Sequence, residues 1–487
     1  MSAEAHDNPA AQAHPAAPAK ALADLAARIA PWLPTARWFP GKDRAAGSVR
    51  VIDRMEIPGT GGLAVALVDS AGMGLVVPVD PLTGRDAAAD PALAAALVRL
   101  ALGGGAVTGL QGSLVGRPVG ARGSEATPLP CAALPPAGLR VRPLGADASN
   151  TSLVIEGGAA PDGGLVLKLL RQARSGIHPE VELGRFFATS TDWRGTPELL
   201  GWVEYLPAAL GGEPSAVATL HTFEPGCTSA WDVLVGGLAD GGLDGAKREP
   251  IFEVARHLGT VTAQMHRALA SRRDLPDFAP EPATAAGRRA LGQRLATQAR
   301  HVLAASALAA SSSPALAPRL ARLAELAPGI GAELEQLSDA GTTAADIRVH
   351  GDYHLGQVLV DGSAERVMPI DFEGEPTRPI AERRSKTSAA KDVAGMLRSF
   401  DYLWAHVNRL HGLGRGDPAT LADAFLAAYR RGVAGEPWWP ADADEERRLL
   451  AAFTLDKAIY ELAYELANRP DWVEVPLGAL EKLTARS

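Results

Sequence analysis

The sequence predicts an α/β (α+β) protein of two lobes, with a small cap subdomain ahead of the first lobe and a mostly helical second lobe. Three observations predict it. Short apolar runs separated by glycine-rich turns fill the first half of the chain. Apolar positions at helical spacing dominate from about residue 250 onward. One strand-like hairpin, 358–360 with 367–370, interrupts the helical half beside a run of histidines and carboxylates.

Composition bounds the function before any motif is read. The 487 residues suffice for roughly three domains of about 150 residues each, so no disulfide or metal staple is needed to build a core. Lys and Arg number 48 against 56 Asp and Glu, a net charge of −8. Nucleic-acid binding requires a basic footprint, which this balance excludes as the main role. Hydrophobic residues at 47% and charged residues at 21% fit a globular chain. Cys131 and Cys227 are the only cysteines, too few for a disulfide framework or a four-cysteine zinc site. The start lacks the apolar core of a secretion signal, and no stretch approaches 18 uncharged apolar residues. The expectation is a cytoplasmic protein with neither a membrane nor a nucleic-acid partner.

Taken in order, residues 1–20, rich in Ala and Pro, read as a disordered leader. A helix follows over about 21–30, stopped by Pro31 and Pro34. Next comes the aromatic and basic cluster Ala36-Arg37-Trp38-Phe39-Pro40-Gly41-Lys42-Asp43-Arg44. The apolar runs 51–57, 63–68 and 75–79 then predict a small antiparallel sheet. Pro91 suits the first position of a helix reaching about Leu102, with Leu93, Leu97 and Leu100 on one face. Strands return at 153–155 and 165–167, and Pro179 opens another helix. Long helices are expected over 251–269, 284–308 and 421–431. These boundaries divide the chain into a leader (1–20), a cap (21–90), a first lobe (91–222) and a helical second lobe (223–487).

The chemistry concentrates in Val349-His350-Gly351-Asp352-Tyr353-His354-Leu355-Gly356-Gln357, followed after one hairpin by Ile370-Asp371-Phe372-Glu373-Gly374-Glu375-Pro376. A kinase catalytic loop sets an amide side chain five residues past its catalytic Asp, then opens a second segment with a metal-binding Asp. Asp352, Gln357 and Asp371 reproduce that order. Phosphoryl transfer needs a carboxylate to take the acceptor's proton and oxygen ligands to hold Mg²⁺ on the phosphates. Asp352 fits the first task, and Gln357 with Asp371 the second. A zinc reading of His350 and His354 fails because Gly351 disfavours a helix and the H-E-x-x-H glutamate is missing. His350 reads as structural; His354 either is structural or touches the acceptor. Glu373 and Glu375 read first as ion-pair partners of Arg378 or Arg383.

A kinase also needs a phosphate lysine. Lys168, inside the apolar run 165–170, supplies it, with Glu180 or Glu182 of the following helix reaching back. Ser149, Asn150, Thr151 and Ser152 stand where a phosphate lid belongs, and Thr222 and Phe223 where the backbone between lobes meets an adenine edge. No G-x-x-x-x-G-K-[ST] and no G-x-S-x-G occurs. Gly59, Gly61 and Ala64 satisfy G-x-G-x-x-A, but a strand follows rather than a helix, so they mark a turn. The order of motifs predicts a eukaryotic-protein-kinase-like fold.

These segments, with Asp392-Val393-Ala394-Gly395-Met396-Leu397-Arg398-Ser399-Phe400-Asp401-Tyr402, resemble the actinobacterial maltokinases, relatives of the aminoglycoside phosphotransferases. The cluster at 37–42 is similar to that family's cap. The tail 455–465 with Asn468-Arg469-Pro470-Asp471-Trp472 resembles its C-terminal helix. The resemblance implies ATP-dependent, Mg²⁺-assisted phosphorylation of maltose at its anomeric hydroxyl, feeding α-glucan (glycogen) synthesis, with a trehalose–maltose isomerising enzyme as a partner. It implies Asp352 as base, Gln357 and Asp371 on the metal, and Lys168 on the phosphates with Glu182 as its partner. It also implies Asp392 as a buried brace and Lys457, Tyr460, Glu461 and Arg469 near the sugar. Lys457, Tyr460, Glu461 and Tyr464 share one helix face, whose mix of rings and polar groups suits a sugar. The alternatives are a glucosamine kinase, whose cationic acceptor Lys457 on that face would repel, and a catalytically inactive sugar-binding or glucan-complex protein.

Overall fold

The structure, a computed structural model, describes residues 16–40, 48–120, 139–145, 149–157, 163–209, 211–239, 248–309, 316–335, 343–411 and 419–484. The first 15 residues of the expected leader, Gly41–Arg44, Cys131 and Ala146–Ala148 lie outside the described residues. The chain divides into two compact units: Met1–Arg185 with Glu198–Pro225, and Phe186–Pro197 with Gly226–Ser487.

The first unit opens with helix α1 (Ala16–Ile29), which absorbs the last five residues assigned to the leader. The alanines favour it, and Pro18 falls in its first turn, where no intrahelical amide donor is needed. Strands β1 (Val49–Glu56), β2 (Ala64–Ser70) and β3 (Met73–Val79) form the expected antiparallel meander. Helix α2 (Pro91–Gly103) starts on Asp90, whose carboxylate accepts from Ala92 N and Leu93 N, and ends on left-handed Gly104. Seven strands follow: β4 (Ala106–Thr108), β5 (Gly112–Pro118), β6 (Arg140–Pro143), β7 (Thr151–Glu156), β8 (Leu165–Leu169), β9 (Leu199–Pro207) and β10 (Ser215–Thr222). They pair antiparallel in the order β4-β5-β9-β10-β8-β7-β6. Helix α3 (Pro179–Ser190) lies between β8 and β9 in sequence.

Both faces of the meander are covered. One carries Leu25 and Ile29 of α1 with Leu33, Trp38 and Phe39. The other joins Leu93, Leu97 and Val98 of α2 and the buried residues of β7, β8 and β10 in a common core. That double burial explains why β2 is nearly all apolar rather than alternating. Asp53 breaks the pattern of β1 at a bulge and is fully buried. Its carboxylate accepts from Leu110 N (2.7 Å), Gln111 N (2.9 Å) and Tyr205 OH (3.0 Å), stitching the meander to the larger sheet.

The second unit contains β11 (Cys227–Ser229), α4 (Ala230–Ala239), α5 (Arg248–Leu269), α6 (Ala285–Ala309) and α7 (Ala317–Glu335). Strands β12 (Val358–Asp361) and β13 (Val367–Pro369) form the expected hairpin, and β11 adds a third strand to it. Helices α8 (Ile380–Arg383), α9 (Ala390–His411), α10 (Ala419–Gly432), α11 (Ala443–Asn468) and α12 (Glu474–Thr484) complete the unit. Helix α10 packs along α5, and α11 along α9. Gly395 permits a close approach of α9 to the loop before β12, since a Cβ there would meet Tyr353 O at 2.6 Å. Among the described residues, no helix is long and apolar enough to cross a membrane.

Candidate active site

In the first unit, β8 is flanked by β10 and β7, so Lys168 stands in a fully paired strand amid apolar neighbours. Its ammonium lies 2.7 Å from Glu180 Oε2, both side chains under a tenth exposed. His221 Nε2 is 3.2 Å from the other carboxylate oxygen. Burial pushes the Glu180 carboxyl up, but the Lys168 charge and then His221 override it and hold it well below the usual range. The partner is therefore Glu180, and the assignment of Glu182 is corrected. Positions two apart on a helix point about 200° away from each other, so one first-turn acid faces β8 and the other faces away; Glu182 is only half-buried.

Of the lid residues, Ser149 and Asn150 precede β7, whereas Thr151 and Ser152 belong to it, Ser152 directly opposite Lys168. Thr151 Oγ1 accepts from Arg171 Nε at 2.9 Å. Arg171 also donates to Asp86 at 3.0 Å and lies over the Trp38 ring at 4.4 Å. The amides of Thr222 and Phe223 are committed within the sheet, to Glu198 O (3.0 Å) and Gly164 O (3.1 Å). Those two N–H groups are therefore already paired.

In the second unit the loop 349–357 is held from three sides. Gly351 takes φ +89, a conformation other residues rarely adopt. Asp392, in the first turn of α9, accepts from His350 N (2.7 Å) and Gly351 N (2.9 Å). His350 contacts Ile370 O through Nε2 at 2.8 Å, the structural role expected of it. His354 caps the short turn into β12, accepting from Gly356 N through Nδ1 at 3.1 Å. The β12–β13 hairpin returns Asp371 to Gln357, whose Nε2 donates to Asp371 Oδ2 at 2.6 Å. Asp371 has φ +65, an uncommon strained value for a residue with a side chain. One amide oxygen and one carboxylate, both hard oxygen donors, are thus side by side, a donor set that suits Mg²⁺.

Asp352 is met by Lys457 of α11, Nζ to Oδ1 at 2.8 Å, and the same ammonium reaches Glu375 Oε1 at 3.1 Å. Burial raises the Asp352 carboxyl, but Lys457 and then His354 outweigh it and keep it well below the usual carboxylate range. Burial would lower the Lys457 ammonium, but its two carboxylates hold it well above the ordinary lysine value. Glu375 is also paired with Arg378, as expected, and lies 3.9 Å from Lys391. Asp352, Glu375 and Asp456 thus face Lys457, Lys391 and Arg378, three charges against three. A cavity behind the loop is lined by Tyr353, Glu375, Lys391, Phe453, Asp456 and Lys457.

Tyr460 joins this cluster, its ring 4.8 Å from Lys457 Nζ and stacked on Tyr464 at 6.5 Å. Glu461 is buried against Arg398, with contacts of 2.9 and 2.7 Å. Arg469 binds Glu465, whose carboxylate also accepts from Tyr402 OH at 3.1 Å. Both were expected near the sugar; Glu461 is paired with Arg398 of α9, whereas Arg469, half-exposed, pairs within α11 and lies over the Tyr464 ring at 5.4 Å. Helical spacing put 457, 460, 461 and 464 on one side, but that side is wide enough to meet the loop at one edge and α9 at the other. The Lys457–Glu375 and Arg398–Glu461 pairs join residues 82 and 63 positions apart, and no local pattern signals them.

The fold is kinase-like, and residues 140–374 match the model of the phosphotransferase enzyme family. Residues 32–111 match the model of the maltokinase N-terminal cap domain. It is 33% identical over 284 residues to a glucosamine kinase of Streptacidiphilus jiangxiensis, covering 56% of this chain and 58% of that protein's length. It is 28% identical over 353 residues to a glucosamine kinase of Mycolicibacterium smegmatis, covering 70% of this chain and 79% of that one. Among solved structures it is similar to a glucosamine kinase in complex with glucosamine, ADP and inorganic phosphate. That match has a TM-score of 0.63 and 26% identity, and covers 90% of this chain and 95% of the other.

Proposed function

We propose that this chain is an ATP-dependent sugar kinase whose acceptor is glucosamine. The observation that carries the kinase reading is the clamped loop: Asp352 on a backbone fixed by Asp392, with Gln357 and Asp371 joined at 2.6 Å beside it. Asp352 orients the acceptor hydroxyl and takes its proton as the bond to phosphorus forms. Its low basicity suits a loose transition state, in which the proton leaves late and positioning matters most. Gln357 and Asp371 would hold Mg²⁺, which neutralises charge on the phosphates when bound. Lys168, kept aimed by Glu180, supplies a cation to the nucleotide. The remaining residues proposed for the nucleotide are Ser149, Asn150 and the backbone of Thr151 and Ser152; those proposed for the sugar are His354 and Tyr460.

Glucosamine as acceptor rests on the names of the relatives and of the solved structure. The objection that Lys457 repels a cation loses its force, because Lys457 is neutralised by Asp352 and Glu375. Maltose stands as the second reading, favoured by the maltokinase cap and by the stacked Tyr460–Tyr464 pair beside Lys457. A trehalose–maltose isomerising partner and a place in glycogen synthesis belong to that reading alone. The complete set Lys168, Asp352, Gln357 and Asp371 favours an active enzyme over a sugar-binding relic. The deciding experiment compares kcat/KM for glucosamine, maltose, glucose and trehalose, with the product identified by phosphorus NMR. A preference for maltose with phosphate on the anomeric carbon overturns glucosamine; no ATP consumption with any sugar overturns the sugar-kinase reading.

A further inference from the structure

A hydrogen-bonded chain leads from the catalytic loop into the helical core of the second unit and ends on a tyrosine that the proposed chemistry does not use. Asp392 is 1% exposed and takes three donors: His350 N, Gly351 N and, at 3.1 Å, His266 Nε2. Among the described residues no lysine or arginine pairs with it. Its charge rests on these N–H groups and on its place at the start of the 22-residue helix α9. His266, on α5, is fully buried, and its Nδ1 lies 2.8 Å from Tyr429 OH of α10. Among the described residues, Tyr429 OH has no other hydrogen-bond partner.

Donors and acceptors follow by elimination. An ionised carboxylate only accepts, so the proton of His266 must sit on Nε2. The phenol has one O–H and one partner: donating it to Nδ1 requires a lone pair there, whereas accepting from an Nδ1–H would leave the buried hydroxyl hydrogen without a partner. Burial, then Asp392, pushes the Tyr429 phenol well above its ordinary value, so the hydroxyl keeps its proton. An imidazolium would donate from Nδ1 to the phenol oxygen and leave the buried hydroxyl hydrogen unpaired, which carries a desolvation cost. The other neutral tautomer would set lone pair against lone pair at Asp392.

We infer that Tyr429 is a positioning residue for phosphoryl transfer: its hydroxyl fixes His266 as the neutral Nε2–H tautomer, and thereby the Asp392 carboxylate that clamps the loop of Asp352. The inference rests on the kinase reading above. The groups facing the ring are Asp392 from α9, Tyr429 from α10 and Trp438 from the segment after α10, its ring centroid 5.9 Å away. Beyond them stand His350, which acts on Asp392, and Tyr353 and Glu446, which act on Tyr429.

The test joins a spectroscopic readout to a kinetic one on the full chain. Nitrogen-15 NMR of labelled histidines, with His266 assigned by its loss in His266→Gln, should show Nε2 protonated and Nδ1 bare in the wild type. Tyr429→Phe should lower kcat by about three- to tenfold, the weight of one buried hydrogen bond, with both KM values within twofold and Nδ1 gaining proton character. An Nδ1–H tautomer or an imidazolium in the wild type overturns the inference, whether or not the variant folds. So does an unchanged kcat, or a loss in which kcat and helical content fall together while the ring state stays as it was. If the wild type consumes no ATP with any sugar, the proposed function fails, and the wild-type ring state still decides the hydrogen-bond chain on its own.

Discussion

Replacing Lys457 by methionine, which keeps the stem and removes the charge, isolates the ion cluster around the catalytic carboxylate. The ammonium is 2.8 Å from Asp352 and 3.1 Å from Glu375, and the three side chains are 14%, 19% and 2% exposed. At an effective dielectric of about 20, each contact carries roughly 5–6 kcal/mol of gross attraction. Desolvation offsets most of that. What the variant reveals is the cost of two buried carboxylates left facing each other, about 3–5 kcal/mol. Arg378 and Lys391 still serve Glu375, which favours the lower end.

The pH dependence follows from the shifts. Asp352 is held below its ordinary range, so its contribution is present above about pH 4 and disappears as pH falls through the depressed value. Lys457 is held above its ordinary value, so its contribution is present below about pH 10 and is lost as pH rises through the raised one. The stability gap between wild type and Lys457→Met should be wide and flat from about pH 5 to 9, and narrow at pH 3. Urea denaturation at pH 7 and pH 3 measures it, and the acid limb of kcat should move upward because Asp352 becomes more basic. A variant as stable as the wild type at pH 7, or a gap that widens on acidification, refutes the reasoning.

Other outcomes follow from the same geometry. Asp352→Asn should lower kcat by roughly 10²–10⁴ with the circular dichroism unchanged; near-wild-type turnover would remove Asp352 from the base position. Asp371→Ala should weaken calorimetric Mg-ATP binding more than Gln357→Ala, since a carboxylate brings full charge and an amide only a dipole; equal or reversed losses would show the metal assignment to be wrong. Glu180→Gln should raise the KM for ATP several-fold, whereas Glu182→Gln should leave it near the wild-type value, because Glu180 lies 2.7 Å from Lys168; the reverse order would restore Glu182 as the partner.

Much of this protein was legible in the sequence where the information is local. Pro91 and the spacing of Leu93, Leu97 and Leu100 specify α2 to within a residue, because capping and periodicity act within a few turns. The hairpin between Gln357 and Asp371 is equally local: fourteen residues with a turn inside them must fold back, and the two side chains meet at 2.6 Å. That Lys168 pairs with a carboxylate of the next helix was also legible, because an amine inside an apolar strand needs a partner and a helix with two acids follows at once.

The tertiary structure decided which of two acids answers Lys168, since the rotation of α3 about its own axis is set by the packing of Val181 and Leu183, both buried. It decided that Lys457 closes on Asp352, 105 residues away, while Glu461, one turn on, goes to Arg398. It decided that His266 and Tyr429, unremarked in sequence, meet behind Asp392. In each case a buried charge or polar group must find its complement, and a helix presents a wide face to several neighbours. Periodicity fixes which residues share that face, but only the packing of distant segments fixes which neighbour each one meets.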